Sequence, residues 1–207
     1  MKLGIIGAGN VGTALAKASV RAGHHVTITS AEEGEAARVA SEVGAVAAAS
    51  NTEASKDSDA VILAVPFAAV QQIVKDIGPG LDGKVLIDVT NRFSPDQLDG
   101  TSNAELTQEM APMARVIKAF NTIFAGNQAD PEVDGIPLDG FVAGDDGAAK
   151  QKVLDLVESL GFRPVDAGSL EMARALEGMG MLNISLNQAN GWPWQTGWKL
   201  LGPTNGG

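Results

Sequence analysis

Lys2-Leu3-Gly4-Ile5-Ile6-Gly7-Ala8-Gly9-Asn10-Val11-Gly12-Thr13-Ala14-Leu15-Ala16-Lys17-Ala18 is the stretch that decides the fold. A short apolar run enters a Gly-x-Gly-x-x-Gly turn, and a helix-compatible run leaves it. Strand, turn, then helix is the context in which such a turn binds a dinucleotide. Each glycine has its own task. Gly7 permits the tight turn, Gly9 lets the backbone approach a pyrophosphate, and Gly12 lets the helix pack close to the strand. The helix N-terminus then offers unpaired N–H groups and a partial positive charge to the phosphates. A glycine turn with a purely structural role is the alternative, and the flanking strand and helix argue against it.

Outward from this turn, apolar runs alternate with helical patterns. Residues 2–6 form the first strand and 10–22 the first helix, ended by Gly23. A second strand (25–29) and a helix over 32–43, closed by Gly44, follow. Residues 45–48 form a short strand and 51–56 a short helix capped by Asn51 or Thr52. Residues 60–65 are almost wholly apolar, as in a parallel strand buried on both faces. A helix over 67–77 stops at Gly78-Pro79-Gly80, and 84–89 is another buried strand. Residues 102–110 are helical and 115–120 a strand. Beyond Phe120 the rhythm loosens. Residues 127–138, rich in Asp, Pro and Gly, read as a loop. Strands at 139–143 and 162–166 flank an amphipathic helix at 148–160, and a helical pattern runs from 169 to 188.

This alternation predicts an α/β fold, a Rossmann-type doubly wound parallel sheet with right-handed βαβ crossovers. Residues 1–165 are expected to form the dinucleotide-binding domain, and residues 166–207 a small, mostly helical C-terminal segment and tail. A chain of 207 residues with 44% hydrophobic content can bury a real core. A net charge of −10 argues against nucleic acid and anionic membrane surfaces as partners. The absence of cysteine removes thiolate nucleophiles and cysteine metal sites and fits a reducing compartment. With the first strand beginning at Lys2, no signal peptide is expected. The longest apolar run, 60–70, contains Pro66 and is too short to span a bilayer. The expected location is the cytoplasm.

The second strand ends in Thr29-Ser30-Ala31-Glu32-Glu33, where the adenosine ribose should lie. No acid stands at the strand end to pair with the 2′-hydroxyl of NAD. Thr29 and Ser30 can donate to the 2′-phosphate of NADP. Yet no arginine adjoins them, Glu32 and Glu33 would repel a phosphate, and Arg38 in the next helix either reaches back or stays solvated. NADP is the expected cofactor, with NAD as the alternative.

Further segments sharpen this picture: Ala64-Val65-Pro66-Phe67, Asp88-Val89-Thr90-Asn91, Lys118-Ala119-Phe120-Asn121-Thr122-Ile123, Gly144-Asp145-Asp146 and Asp166-Ala167-Gly168-Ser169-Leu170. With the glycine turn, they resemble the NADPH-dependent reductases of the deazaflavin coenzyme F420 and the related oxidoreductase domain of the STEAP metalloreductases. The resemblance runs to about Leu176. It implies a Rossmann domain with a small C-terminal part, a cleft holding both cofactors, and a homodimer. By motif, it places Ala8, Asn10 and Val11 on the pyrophosphate, Ser30 at the adenosine end, and Val65, Pro66 and Phe67 along the ribose and adenine. Thr90 and Asn91 would lie near the nicotinamide ribose. Asn121, Thr122 and Ile123 would face the nicotinamide and the second redox partner, with Asn121 and Thr122 as the catalytic pair; for those two, loop turn chemistry with the local backbone is the alternative. Two positions depart from the pattern. Ala31 stands where the family usually has Arg, and Asn121 stands where archaeal members commonly have His.

Hydride transfer between a nicotinamide and coenzyme F420 or a flavin needs stacking, orientation and dryness more than acid–base side chains. The lack of tyrosine excludes the Tyr-Lys pair of short-chain dehydrogenases, and His24 and His25 lie where the second strand begins, at the wrong end for the site. Lys118 reads as an edge charge, with a proton donor as the alternative, and Asp88 is expected to anchor the loop after its strand by accepting backbone N–H bonds. Trp192, Trp194 and Trp198 either stack on a flat heterocycle, pack a dimer interface, or tack the tail onto its own domain. Met172, Met179 and Met181 read as core or interface residues, and no metal site is expected. Two further readings stay open: reduction of a flavin, quinone, metal chelate or small organic substrate, and a non-enzymatic dinucleotide sensor.

Overall fold

The computed structural model describes residues 1–91 and 100–202, so Pro203 of the tail lies outside the described residues. Ten strands and eight α-helices are described. In chain order they are β1 (Lys2–Ile6), α1 (Asn10–Arg21), β2 (His25–Thr29), α2 (Glu35–Val43), β3 (Val46–Ala47), α3 (Asn51–Lys56), β4 (Ala60–Leu63) and α4 (Phe67–Ile77). There follow β5 (Val85–Asp88), α5 (Asn103–Met110), β6 (Arg115–Ala119), α6 (Ala125–Ala129), β7 (Glu132–Val133) and β8 (Ile136–Pro137). The chain closes with β9 (Asp139–Gly144), α7 (Gly147–Ser159), β10 (Arg163–Gly168) and α8 (Ala173–Asn190).

Eight strands make one sheet in the order β10-β9-β6-β5-β4-β1-β2-β3. Alternation along each strand sends neighbours to opposite faces. Leu3, Ile5, Ile28, Ile62 and Ile87 pack against Leu15 of α1, Val39 of α2 and Val153 and Leu156 of α7. Ile6, Val61, Leu63 and Leu86 pack on the other face against Val70, Ile73 and Val74 of α4, Ala104 of α5 and Ala173 of α8. The order reverses at β1, which pairs with both β2 and β4 in parallel. An open α/β sheet holds its ligand at such a point, outside the carboxyl ends of the strands.

Three expectations need correction. β9 pairs antiparallel with β6, so the sheet is mostly rather than wholly parallel. No long crossover helix separates these two strands, and an antiparallel neighbour needs none. The expected loop over 127–138 holds the end of α6 and the β7–β8 hairpin. Asp134 and Gly135 form its turn with φ of 52° and 74°, the two positive values an Asp-Gly hairpin turn requires. The second helix starts at Glu35 rather than residue 32, because Gly34 takes a left-handed conformation (φ 78°) and the Ser30 hydroxyl accepts the Glu32 N–H. Among the described residues, no helix is long and apolar enough to cross a membrane.

Candidate active site

The glycine turn leaves β1 at the switch point. Its first glycine has φ 106°, and a Cβ there would strike the Ala64 carbonyl. A Cβ on Gly12 would strike the Gly7 carbonyl, so the third glycine is required by the closeness of α1 to the turn. Gly9 differs: an added Cβ would meet nothing within 4 Å. The space above it is open, as a bound pyrophosphate requires. Gly9 is also the N-cap of α1 and provides no side-chain cap, so the first-turn N–H groups of Asn10, Val11 and Gly12 have no intrahelical acceptor. The Thr13 hydroxyl donates to the Ala8 carbonyl at 3.0 Å, and the Gly7 N–H donates to Thr29 at 2.9 Å, which ties the turn to β2.

A cavity of about 570 Å³ opens beside this turn, between the ends of β1, β2 and β4. Gly7, Thr29, Ser30, Val65 and Pro66 line it together with Asn51, Thr52 and Gln72. Phe67, like Val65, packs against the core face that carries α4, but is not among the residues lining this cavity. Arg38 does not reach back. Its guanidinium donates to Glu35 at 2.8 and 3.0 Å and to Glu42 at 3.0 Å along its own helix.

On the other side of the turn, the loops after β5 and β6 are stitched together. Asp88, fully buried, accepts the Thr90 N–H and hydroxyl at 2.8 Å each, so it anchors its loop as expected. Asn91 Nδ2 donates to the Asn121 carbonyl at 2.8 Å, and Asn121 Nδ2 donates to Asn91 Oδ1 at 2.8 Å and to the Leu176 carbonyl at 2.9 Å. Because a carbonyl only accepts, the Leu176 bond fixes which way the Asn121 amide points. Asn121 Oδ1 is then buried without a partner, the kind of acceptor that a ligand N–H satisfies. Thr122 and Ile123 are buried beside it. Phe120, just before, is held at φ 62°, a left-handed conformation that turns the chain out of β6. Gln128 Nε2 braces that bend through the Phe120 and Ile123 carbonyls at 3.2 and 3.1 Å.

Beneath these loops lies a feature that the sequence reading missed. Lys118 is not an edge charge. It is fully buried, and its Nζ donates to Asp88 Oδ1 at 3.0 Å, to Glu177 Oε1 at 2.7 Å and to the Thr90 carbonyl at 2.5 Å. Glu177 also accepts the Asn103 N–H at 3.1 Å, at the start of α5. Burial alone would raise the Asp88 carboxyl. The Lys118 ammonium and hydroxyl bonds from Thr107 and Thr90 outweigh it and hold Asp88 below the usual carboxylate range. The cluster fastens α8 to the loop carrying Thr90 and Asn91. Gly180 lets the helix approach, since a Cβ there would lie 2.7 Å from Asn91 Oδ1.

Closer to the start of α8, Arg174 donates to both Glu105 oxygens at 2.9 and 2.6 Å. Arg174, with help from Ser102, lowers Glu105 from 4.5 to about 2. A depressed carboxylate stabilises the fold above its unfolded value, and that contribution fades as pH falls from 4.5 toward about 2. Both partners retain solvent contact, so the effect stays below about 1 kcal/mol. Arg174→Met should lower the urea midpoint at neutral pH, and the gap to the unsubstituted protein should close through that acid window.

Residues 2–92 match the family described as NADP oxidoreductase, coenzyme F420-dependent. The F420-dependent NADP reductase of Methanothermobacter marburgensis is 30% identical over 212 residues, covering 92% of this chain and 94% of the relative. The chain belongs to the coenzyme F420-dependent NADP oxidoreductase family. A candidate F420-dependent NADP reductase from Arthrobacter sp. FB24 has the same fold, with a TM-score of 0.83 at 30% identity, covering 94% of this chain and 97% of that one. The metalloreductase STEAP3 of Rattus norvegicus is 33% identical over 178 residues, which cover 85% of this chain but 36% of the metalloreductase. The protein is an NAD(P)-dependent oxidoreductase.

In this oxidoreductase the tail is tacked down, as the third reading of the tryptophans holds. The Trp198 carbonyl accepts the Asp139 N–H at 3.0 Å, and Asn127 Nδ2 donates to the Gln195 carbonyl at 2.8 Å. The Thr196 hydroxyl donates to Asn183 Oδ1 and accepts from Asn187 Nδ2, at 2.6 Å each. Trp194 meets Phe124 edge-on at 5.4 Å. Asn183 and Asn187 lie on the same buried stripe of α8 as Leu176, Glu177 and Gly180. One helix face therefore serves both the loop pair and the tail.

Proposed function

We propose that this oxidoreductase transfers a hydride between NADP(H) and a second planar redox partner, a deazaflavin such as coenzyme F420. What supports the reading is the placement of two groups at the carboxyl ends of the parallel strands. An open glycine turn and helix N-terminus lie on one side of the switch point, and the Asn91–Asn121 pair, closed over by α8, lies on the other. Asn10 and Val11 N–H groups would hold the pyrophosphate, and Val65 and Pro66 would flank the adenosine half. Thr90 and Asn91 would sit against the nicotinamide ribose. Asn121 Oδ1 would take an N–H of the nicotinamide carboxamide and so orient the ring, with Thr122 and Ile123 excluding water. The bound nicotinamide supplies the hydride chemistry, and the protein supplies distance, orientation and dryness.

Mixing the protein anaerobically with NADPH and, separately, a deazaflavin, a flavin, a quinone or a ferric chelate tests this. The expected result is fastest loss of nicotinamide absorbance with the deazaflavin. Turnover with only another acceptor would replace the deazaflavin. Tight dinucleotide binding with no oxidation by any acceptor would favour a sensor.

The outward face of α8 supports a homodimer as part of the same proposal. Leu182 and Leu186 are 49% and 38% exposed, and with Met179 they form one apolar stripe at helical spacing, continued by Met172 (42% exposed) in the turn just before the helix. Leu182→Glu should move the protein to monomer in sedimentation, leaving the far-ultraviolet dichroism unchanged.

A further inference from the structure

The adenosine end of the cleft is acidic. Beyond the cavity that holds Thr29 and Ser30 lies a second, of about 430 Å³, and the two share Ser30, Ala31 and Ala49. This junction is the end of β2, where the 2′ position of an adenosine ribose falls in this fold. Glu32 and Glu33 line the second cavity and Asp76 the first, and neither lining contains a lysine, arginine or histidine. Arg38, on the adjoining helix, has its guanidinium spread across Glu35 and Glu42. The first turn of α2 contributes Ala36 and Ala37 to the lining, but Glu35 shares that turn and offsets its positive end. Ser30 retains a hydroxyl proton to donate while its oxygen accepts the Glu32 N–H at 3.2 Å.

A ribose 2′-phosphate would bring up to about two negative charges to this junction. Among the residues the two linings share it would find one hydroxyl, that of Ser30, with Glu32 and Glu33 alongside and no lysine, arginine or histidine among the described residues of either lining. A 2′-hydroxyl brings no charge and can hydrogen-bond to Ser30 or to a glutamate. We infer that Glu32 and Glu33 set the cofactor specificity of this chain, removing the advantage of the 2′-phosphate so that NAD binds about as well as NADP. The inference rests on the dinucleotide reading of the site and is independent of the redox partner.

Calorimetric titration of the protein with NAD and with NADP tests it without any acceptor. The two dissociation constants should agree within about fivefold, or favour NAD. Because the glutamates are exposed, added salt should screen their repulsion and shift the ratio toward NADP. The double variant Glu32→Gln/Glu33→Gln should tighten NADP about tenfold and alter NAD by less than about twofold. Ala31→Arg should favour NADP in the same sense. A preference for NADP beyond about fivefold in the unsubstituted protein, or a ratio unmoved by the double variant, overturns the inference. Failure of both dinucleotides to bind overturns it together with the cofactor site itself. Failure of every acceptor in turnover would instead strike only the proposed reaction.

Discussion

Lys118→Met is expected to destabilise the fold by about 3–5 kcal/mol, because it takes from the buried Asp88 carboxylate the cation bonded to it. Asp88 and Lys118 are both fully shielded from solvent and Glu177 nearly so, with Lys118 bonded to each acid. Methionine matches the length of the lysine stem but supplies none of its three donors. In a chain of this size the loss corresponds to a fall in melting temperature of roughly 10 °C. Thermal and urea unfolding would measure it. Adding Asp88→Asn should recover part of the loss, since the amide oxygen still receives the Thr90 N–H and the stranded Asp88 charge is gone. The double-mutant cycle then gives the coupling between the two residues. Equal stability of Lys118→Met and the unsubstituted protein would mean that the ion cluster contributes no more than an apolar contact.

Gly9→Val is expected to weaken dinucleotide binding about a hundredfold while leaving the fold within about 1 kcal/mol of the unsubstituted protein. The backbone at Gly9 has φ −71° and ψ −170°, which valine adopts, and its Cβ would meet no protein atom within 4 Å. The new side chain would enter the open space above the turn that a pyrophosphate would occupy. Gly12→Val is the contrasting case. Its Cβ would overlap the Gly7 carbonyl, so folding and binding should fail together. Thermal unfolding paired with a binding titration separates the two variants. Undiminished binding by Gly9→Val would remove the pyrophosphate from this turn.

The strands and helices up to β6 were legible in the sequence, mostly to within two residues. Their signals are local: apolar runs of strand length, helical periodicity, and Gly23 or Gly44 as stops. The β7–β8 hairpin carries a turn signal in Asp134-Gly135, but strands of two residues each present no alternation to read, so the segment reads as a loop. The extended acidic turn of Ser30 to Gly34 was readable as charge but not as shape, because the left-handed bend at Gly34 shortened α2 from its start.

The site divides in the same way. By itself the sequence determined the glycine turn, the switch-point geometry that follows from it, and the acidic end of β2, since each depends on residues near one another in the chain. Only the tertiary structure decided that β9 runs antiparallel to β6, that Lys118 is buried, and that Glu177 is one of its partners from 59 residues away. The reason is physical. A lone lysine at a strand end gains nothing by burial, and its position becomes favourable only when distant carboxylates are brought within hydrogen-bond reach. That closure requires α8 to lie against the loops after β5 and β6, and α8 does so through a polar stripe that hydrophobic periodicity does not register.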